Sequence, residues 1–423
     1  MRTALADPKP DASRQAGITT LEVSQDLPRL RSPKPIMRAV EVRGFEALAE
    51  HLDCWDDLSS AAIEPNVFYE SWMLLPALEA FGEGRDLRFV LIFAENDTDA
   101  DAAPVLCGLF PLEQKSRYKG LSIKSLSLWR HLHCFLSTPL VRRGMERECL
   151  ETFFDWLGEP GTDAALMEFG WINTDGPFYE LLAGYLKETG KASYTADRFT
   201  RPLYRPASDA DSYLSAAISK EHRRDLRRRH KRLSEQGRVE FVALEPGADA
   251  EAWIDNFLRL EASGWKGQEG SAFSSNDSAR RFFVKAMIGA FNRSRLMMIG
   301  IELDGRPVAL KCNLIAAPGS FAFKIAYDEE YARFSPGVLL EVENIRLLHR
   351  RSDVEWMDSC AEPNHFMMNR VWTERRTIND LVVSTGKRSG DLAVSTFPLL
   401  RWVSRNFVRP CVSGIFALLE SIS

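Results

Sequence analysis

The stretch from residue 321 to residue 350 constrains the fold of this chain most strongly. It reads FAFKIAYDEEYARFSPGVLLEVENIRLLHR, and its alternating apolar residues from Phe321 to Tyr327 predict a strand. A polar loop follows, and Ser335-Pro336-Gly337 predicts a helix start, because serine favours the N-cap and proline the first helical position. Apolar residues then recur at helical spacing, so we expect one face of the helix to be buried: Val338, Val342, Ile345 and Leu348.

The order strand, loop, helix start is suited to binding an anion. The first N–H groups of a helix point outward from the positive end of its dipole, where phosphate binds. Gly337 at the second helical position lets a ligand approach the backbone closely. We therefore expect a phosphate-bearing ligand to bind here, on Phe334, Ser335, Gly337, Val338 and Leu339. Ordinary capping without a ligand is the alternative.

Composition narrows the class of protein. The chain has 423 residues and a net charge of −5, so two or three domains are expected, without a bulk nucleic-acid signature. The cysteines are scattered and form no CxxC, which disfavours a disulfide framework or a metal site and favours a reducing cytoplasm. The sequence contains no run of 18 apolar residues, so no membrane span is predicted. The N-terminus lacks the apolar core of a signal peptide.

The predicted elements repeat along the chain. Residues 1–35 are rich in proline and charge and predict a disordered leader. Residues 36–205 and 206–390 then follow the same order: helices, an antiparallel meander, helix, strand, helix, strand. The sequence therefore predicts a mixed α/β (α+β) protein built as a tandem duplication, each domain a mostly antiparallel sheet flanked by helices. Residues 391–423 form an amphipathic tail.

Two positively charged segments have alternative interpretations. The predicted helix 219–234 carries eight lysines and arginines against two acidic residues, with Leu226 and Leu233 as its main apolar contacts. It either binds phosphates, RNA or anionic lipid, or is a solvated linking helix that contacts acidic neighbours. The tail places Arg401, Arg405 and Arg409 along one stripe, which suits either a peripheral contact with the inner membrane or a helix docked on the domain.

The meander places polar side chains next to the proposed phosphate loop. Asp304-Gly305 predicts a two-residue hairpin. If residues 316–319 form the next turn, Asn313 pairs with Ala322 and Lys311 lies opposite Lys324. Two lysines opposite each other repel, unless a carboxylate or a ligand anion lies between them. Strand alternation then puts Lys311, Asn313 and Lys324 on one polar face, and the alternative is that the lysines extend into water.

A second polar group comes from the first half. In an extended segment Trp129, His131 and His133 share a face, where two histidines could line a cleft or bind a metal. A packed, aromatic-rich strand end is the alternative, because no carboxylate or cysteine stands at ligand spacing. No metal site is predicted.

Several motifs carry a family resemblance across roughly residues 40–390. In the second half they are Leu260-Glu261, Gly264-Trp265-Lys266-Gly267, Lys324, Tyr327-Asp328, Tyr331, Ser335-Pro336-Gly337, Asp358, Cys360, Asn364-His365, Arg370, Trp372, Arg375 and Arg376; upstream they are Pro65-Asn66, Phe68, Glu70, Trp129, His131 and Thr138-Pro139-Leu140. In this order they resemble the acyl-CoA N-acyltransferases of the GNAT superfamily, in the BioF2-like or CelD-like branch, related to the FemAB peptidyltransferases. That superfamily usually has glycine where Ser335 stands.

The resemblance implies amide formation from an acyl-CoA co-substrate, with no permanently bound cofactor. The pyrophosphate would lie on the phosphate loop, while a base or desolvation removes a proton from the attacking amine. The candidate bases are Asp358, His365 and Glu261, and Lys311 and Lys324 are candidates for polarising the carbonyl or holding an anionic acceptor. Candidate acceptor-binding residues are Trp265, Lys266, Asp328 and His131, with the 264–270 loop closing over the acceptor.

Three functions therefore compete. The first is an acyl-CoA-dependent N-acyltransferase acting on an amino sugar, amino acid or amino lipid in exopolysaccharide, envelope or lipid biosynthesis. The second is a FemAB-like aminoacyltransferase that uses charged tRNA. The negative net charge of the chain makes nucleic acid the less expected partner. The third is a non-catalytic scaffold that has kept the fold. The acceptor, the acyl length and the oligomeric state do not follow from the sequence.

Overall fold

The computed structural model describes residues 36–95 and 103–403. The predicted leader 1–35 lies outside the described residues, as does the part of the predicted tail that contains Arg405 and Arg409. The described part of the tail is helical, as expected. None of the described helices is long and apolar enough to cross a membrane.

The first half follows the predicted order of elements. Its strands are β1 (Ile36–Val42), β2 (Leu87–Glu95), β3 (Val105–Lys115), β4 (Ser125–Leu128), β5 (Leu140–Val141), β6 (Leu166–Asn173) and β7 (Ser193–Tyr204). Its helices are α1 (Phe45–Ala49), α2 (Leu52–Ala61), α3 (Ser71–Phe81), α4 (Glu146–Gly158) and α5 (Pro177–Thr189). The sequence did not predict β1, and the single helix expected over residues 45–60 is divided into α1 and α2.

The second half repeats this pattern. Its strands are β8 (Val239–Ala243), β9 (Leu296–Leu303), β10 (Arg306–Ala316), β11 (Gly319–Tyr327), β12 (Trp356–Asp358) and β13 (Glu374–Ser384). Its helices are α6 (Ala210–Ala217), α7 (Lys220–Ser234), α8 (Ala250–Ser263), α9 (Trp265–Gln268), α10 (Asp277–Asn292), α11 (Pro336–His349), α12 (Met368–Val371) and α13 (Arg388–Val403). The expected glycine-rich loop after α8 is partly the short helix α9.

All thirteen strands of the described residues belong to one continuous sheet. The order is β1-β2-β3-β4-β6-β13-β7-β12-β11-β10-β9-β8, and β5 pairs with β3. Among the strands that the structure describes, only β4 with β6 and β11 with β12 are parallel, so the sheet is mostly antiparallel, as predicted. The sheet has an internal symmetry, because the order from β1 inward repeats from β8 inward with one parallel pair in each half.

The last strand of each half is exchanged with the other half. β13 from the end of the second half pairs with β6 of the first, and β7 from the end of the first half pairs with β12 of the second. β13 and β7 then pair with each other along ten registered residue pairs. The domain limits predicted at residues 205 and 390 remain a prediction; the two halves they separate share one sheet.

Helices cover both faces of this sheet. On one face, α1–α3, α8 and α10 enclose a core shared by the two halves, with Trp55, Phe68, Phe257 and Phe283 buried in it. On the other face, α4 and α5 pack on the first half, whereas α6, α7, α11 and α12 pack on the second. The middle of α13 covers a smaller cluster around Phe397.

The register of the second meander is partly as predicted. Leu303 pairs with Arg306 across Asp304-Gly305, and both turn residues have positive φ, as a tight hairpin requires. Asn313 pairs with Ala322 as expected. The predicted pairing of Lys311 with Lys324 is wrong: Lys324 lies opposite Cys312, and Lys311 opposite Ile325.

A β-bulge causes this difference. The register shifts between Cys312 and Asn313, which leaves Phe323 as an extra residue on β11. Because side chains alternate along a strand, one extra residue moves Lys324 to the other face of the sheet. Lys324 therefore lies among Phe135, Phe273 and Phe323 of the shared core, away from Lys311. The predicted single polar face of Lys311, Asn313 and Lys324 does not exist.

Candidate functional site

The strands β11 and β12 separate after a short parallel contact. They pair only from Gly319 to Phe321 on β11 and from Trp356 to Asp358 on β12. Beyond that point β11 continues to Tyr327 with β10 as its one registered neighbour. One edge of β11 is thus left open, and this edge leads from Lys324 to the turn before α11. A ligand can reach unpaired backbone groups of β11 there.

The turn before α11 has an unusual conformation for a serine. Ser335 has φ 55° and ψ 52°, the left-handed region that favours glycine. Its side chain does not cap the helix, which corrects the expected role of Ser335 as a capping residue. Pro336 occupies the first helical turn as predicted.

A basic side chain from α7 holds this turn. Arg229 donates hydrogen bonds to the Ser335 hydroxyl at 2.7 Å and to the Arg333 carbonyl at 3.1 Å. Asp225 on the same helix accepts from the Arg229 Nε at 2.6 Å and orients the guanidinium. The basic helix α7 therefore lies directly beside the predicted phosphate loop, and this positive group adds to the field of the helix N-terminus.

The first turn of α11 offers one free backbone donor. The N–H groups of Val338 and Leu339 both bond to the Ser335 carbonyl, at 3.0 and 3.1 Å. The Gly337 N–H has no acceptor among the described residues. A Cβ placed on Gly337 would make ordinary contacts with Tyr327 at 3.5 Å and Met367 at 3.6 Å. Of the predicted loop residues, Phe334, Gly337 and Leu339 are buried by the protein, whereas Ser335 and Val338 are partly exposed.

Lys324 is partly buried and has no carboxylate in an ion pair with it among the described residues. Its Nζ lies 5.0 Å from the ring centre of Phe135 and 5.3 Å from that of Phe273. Burial, with repulsion from Lys266, lowers the pKa of Lys324 to about 8, although Glu261 acts in the opposite direction. A lysine with such a pKa exchanges protons near neutral pH.

Glu261 and Lys266 form an ion pair near Lys324. The Glu261 carboxylate accepts from Lys266 Nζ at 2.9 Å and from the Phe273 N–H at 2.9 Å. The pair borders a small hollow between α8, α9 and the end of β11, which Trp265 and Tyr327 also line. The Trp265 side chain is 49% exposed, so it can contact a ligand that enters the hollow.

Asp358 lies in a buried ionic cluster within the sheet. Its carboxylate accepts from Arg201 at 2.7 Å, from Arg376 at 2.8 Å and from the Cys360 N–H at 2.9 Å. Burial alone would raise its pKa, but the attraction of Arg201 and Arg376 lowers it below the ordinary value. Both oxygens are occupied and the carboxylate is held ionised, which is the pattern of a structural anchor rather than of a base.

Lys311 and His365 lie on the α11 side of the sheet, away from Lys324. Lys311 is paired with the Glu341 carboxylate in a fully buried contact. Glu341 also accepts from Asn344 at 2.9 Å and from the Trp372 indole at 3.0 Å. His365 is half-buried, its Nδ1 accepts from the Met368 N–H at 3.3 Å, and burial, with the positive charge of Lys311, lowers its pKa.

Two further candidates have local structural roles. Asp328 accepts from the Glu330 N–H at 3.0 Å and from Arg306 at 3.2 Å, and so holds the turn after β11. His131 is 4% exposed and stacks on Phe81 with the ring centres 4.9 Å apart. Burial, with Arg130 nearby, lowers its pKa to about 3, so the ring is neutral. His131 therefore lies in a packed, aromatic-rich environment, which is the alternative to a cleft-lining or metal-binding histidine.

The structure thus brings only some of the predicted residues together. Lys324, Glu261, Lys266 and Trp265 lie on one face of β11, and the turn from Ser335 to Gly337 lies at its end. Residues that sequence reasoning did not single out are Arg229, Arg201, Glu341 and Asn344. Glu341 and Asn344 could have been noticed, since they place polar side chains on the otherwise apolar face of α11. Arg229 could not be distinguished from the other cations of α7.

Comparison with known proteins bears on this part of the chain. Residues 220–366 match the family described as the acetyltransferase (GNAT) domain. This segment is therefore similar to a GNAT domain. It runs from α7 to the residues that precede α12, and so contains Lys324, Glu261 and the turn at Ser335. No curated protein matches the chain significantly.

One solved structure, that of FemX, is similar in fold over more of the chain than residues 220–366. The crystal structure of FemX is 10% identical to this chain, with a TM-score of 0.50 over 81% of this chain and 96% of FemX. A conserved protein of unknown function from Bacteroides thetaiotaomicron is 11% identical (TM-score 0.48; 79% and 97% of the two chains). A tandem GNAT protein from the clavulanic acid biosynthesis pathway is 14% identical (TM-score 0.39; 83% and 99%). At such identities the FemX match indicates a common fold and not a common reaction.

Proposed function

We propose that this protein is a GNAT-type N-acyltransferase that moves an acyl group from an acyl-CoA thioester to a primary amine. The observation that carries the proposal is the position of Lys324, a lysine with a pKa of about 8, on the open edge of β11 that leads to the turn before α11. The match of residues 220–366 to the GNAT acetyltransferase domain supports the reaction class. We also propose that the chain belongs to the BioF2-like or CelD-like branch of these enzymes.

The anionic part of the thioester would bind at the turn from Ser335 to Gly337. The free Gly337 N–H and the Arg229 guanidinium supply two donors there, and the α11 dipole adds a positive field. The pantetheine arm would follow the open edge of β11, where backbone groups lack a strand partner. This route would bring the thioester carbonyl from the α11 side of the sheet to the neighbourhood of Lys324.

Lys324 is our proposed general base. A base works best when its pKa lies near the working pH, and burial places that of Lys324 at about 8. Asp358 is less suited, because two arginines occupy its oxygens, and His365 lies on the other face of the sheet. Glu261 accepts a hydrogen bond from Lys266 and is our second choice.

The reaction removes two protons from the acceptor nitrogen and exchanges one C–S bond for one C–N bond. Neutral Lys324 would take a proton from the acceptor ammonium, and the freed amine nitrogen would then attack the thioester carbonyl carbon. The tetrahedral oxyanion would collapse with cleavage of the C–S bond. The attacking nitrogen would lose its second proton to the leaving thiolate, which gives the amide and the CoA thiol, and Lys324 would release the first proton to water, so that both atoms and charge balance.

The donor site can be tested by protection against heat. Acyl-CoAs of increasing chain length, from acetyl to palmitoyl, would be added to the wild-type protein, and we expect an increase in melting temperature. Gly337→Glu should abolish this increase, because a carboxylate would stand where the phosphates bind. An acidic residue near a helix N-terminus does not disfavour the helix.

Gly337→Gln is the matched control, since it has the same size without the charge. It should keep more of the protection than Gly337→Glu. Equal protection of a folded Gly337→Glu variant would show that the donor does not bind at this turn. Absence of protection by every acyl-CoA would contradict acyl-CoA as the donor.

One observation favours a FemAB-like transfer from charged tRNA as a second candidate. The described ion pairs of α7 are both internal, from Arg228 and Arg229 to Asp225, so most of its positive charge is not neutralised by another element. Such a surface suits a phosphate backbone. Binding of charged tRNA that weakens steeply with salt, together with no protection by acyl-CoA, would favour this candidate over the first.

A further inference from the structure

An open groove runs along α11. Its walls come from α6, α7, α11 and β8, and its volume is about 670 Å³. Ligand pockets for small molecules have volumes of roughly 300–1,000 Å³. The groove is separate from the hollow beside Lys324, which is lined by α8, α9 and β11.

The floor of the groove is apolar. It is formed by Leu214, Ile218, Leu226, Phe241, Leu339 and Val342. Phe241 is 40% exposed, although a large aromatic side chain gains free energy from burial. A ligand with an apolar body would cover these side chains and remove them from water.

The rim of the groove is positively charged. Arg223, Arg227 and Arg346 line it together with Asp211, and Arg346 also forms an ion pair with Glu343 at 3.3 Å. Arg223 donates to the Ser215 hydroxyl, while its Nε is buried without a partner. Arg227 has no ion pair among the described residues. Guanidinium groups match phosphate and carboxylate geometry, so this rim is complementary to an anionic head group.

We propose that this groove binds a small anionic amphiphile, a single acyl chain that carries a phosphate or carboxylate head. The chain would lie on the apolar floor, and the head would be held between Arg227 on α7 and Arg346 on α11. A small molecule fits the volume better than a protein segment does. This binding does not depend on the proposed acyl transfer.

The groove shares elements with the predicted phosphate loop. Leu339 lies in the first turn of α11 and lines the groove, and α7 supplies both Arg227 to its rim and Arg229 to Ser335. An amphiphile bound between α7 and α11 would therefore hold together the helix that supplies Arg229 and the helix that begins at the turn.

Titration calorimetry with monomeric probes tests the proposal. Lauroyl lysophosphatidic acid and laurate represent the two head groups, and lauroyl lysophosphatidylcholine represents a zwitterionic head. We expect the anionic probes to bind, the zwitterionic probe to bind more weakly, and the stronger anionic probe to identify the head group. Arg227→Glu and Arg346→Glu should each weaken anionic binding about tenfold or more, since a charged hydrogen bond contributes about 1.5–3 kcal/mol.

Arg232→Glu is the matched control, because Arg232 is an exposed cation of α7 that does not line the groove. It should leave binding within about twofold of the wild type, whereas an equal loss in Arg232→Glu would indicate non-specific attraction and overturn the proposal. Lack of binding by both anionic probes would also overturn it. So would displacement of the probe by free CoA, which would assign the groove to the nucleotide of the donor. Circular dichroism would establish that each variant is folded.

Discussion

The Arg229 guanidinium donates a hydrogen bond to the hydroxyl of Ser335, 2.7 Å away, from a helix that the sequence marked only as strongly basic. This contact explains why a serine can stand in a left-handed conformation at the start of α11. The positive φ at this position favours glycine, but serine supplies a hydroxyl that accepts a hydrogen bond from Arg229 and so connects α7 to the turn. The basic helix is thus part of the candidate site.

The two effects at Ser335 can be separated by two substitutions. Ser335→Ala loses the hydrogen bond from Arg229 and keeps the unfavourable φ, whereas Ser335→Gly loses the same bond and relieves the φ. We therefore expect Ser335→Gly to be more stable than Ser335→Ala by about 1 kcal/mol. Urea denaturation of the two variants measures the difference, and equal stabilities would mean that the left-handed conformation costs nothing here.

Lys324 should govern the pH dependence of turnover. If its neutral form accepts the proton, turnover of the wild type should rise as the pH increases through about 8. Lys324→Met should have low turnover without this rise. Lys324→Arg separates a base from a fixed positive charge, because arginine stays protonated. A fully active Lys324→Arg variant would exclude the role of a base.

The same lysine should also affect stability. Its pKa is about 8 when folded and 10.5 ordinarily, so between these values the unfolded chain binds more protons at this position. The contribution of Lys324 to the free energy of unfolding should therefore increase as the pH rises from about 8 to 10.5. Comparing wild type with Lys324→Met by denaturant titration at pH 7.5 and 10 tests this, and a difference that does not change with pH would contradict it.

Asp358 should prove structural. Asp358→Asn would leave Arg201 and Arg376 buried without their negative partner, and removing one member of a buried ionic group costs about 3–5 kcal/mol. The pKa of Asp358 is lowered by folding, so its contribution is present above the unfolded pKa of about 3.9 and is lost as the pH falls through the lower, folded pKa. Denaturation of the variant should therefore be less sensitive to acid in that range; unchanged stability at pH 7 would rule out the anchor role.

Lys311 should be needed for folding and not for chemistry. Lys311→Met would leave the buried Glu341 carboxylate without its positive partner, with an expected loss of about 3 kcal/mol or more. Lys311→Met combined with Glu341→Gln should recover much of the loss, because glutamine can still bond Asn344 and Trp372 without a charge. Turnover by the folded double variant should approach that of the wild type. A stable but inactive double variant would return Lys311 to the list of catalytic candidates.

Local patterns predicted much of the fold. The strand over 321–327, the hairpin at Asp304-Gly305 and the helix beginning at Pro336 follow from periodicity and turn chemistry, and all three are present. The repeated order of elements likewise indicated two related halves. These features are set by neighbours in sequence, which is why a single sequence can show them.

The failures have a common physical cause. The bulge at Phe323 inserts one residue into β11, and no turn or composition marks it, yet it moves Lys324 to the opposite face from Lys311. The partners of Asp358 come from Arg201 and Arg376, which are distant in sequence from each other. Contacts of this kind depend on the order of strands in the sheet, and strand order is a property of the whole chain.

The exchange of β7 and β13 sets a limit on how this chain can be made. The strand that completes the edge of the first half next to β6 is residues Glu374–Ser384, so that half cannot close its sheet on the ribosome until nearly all of the chain has emerged. Until then β6 presents an unpaired edge that can join the wrong strand. A cut between the halves would separate each half from the strand that the other half supplies to its sheet, and for that reason neither half is a suitable fragment for expression alone.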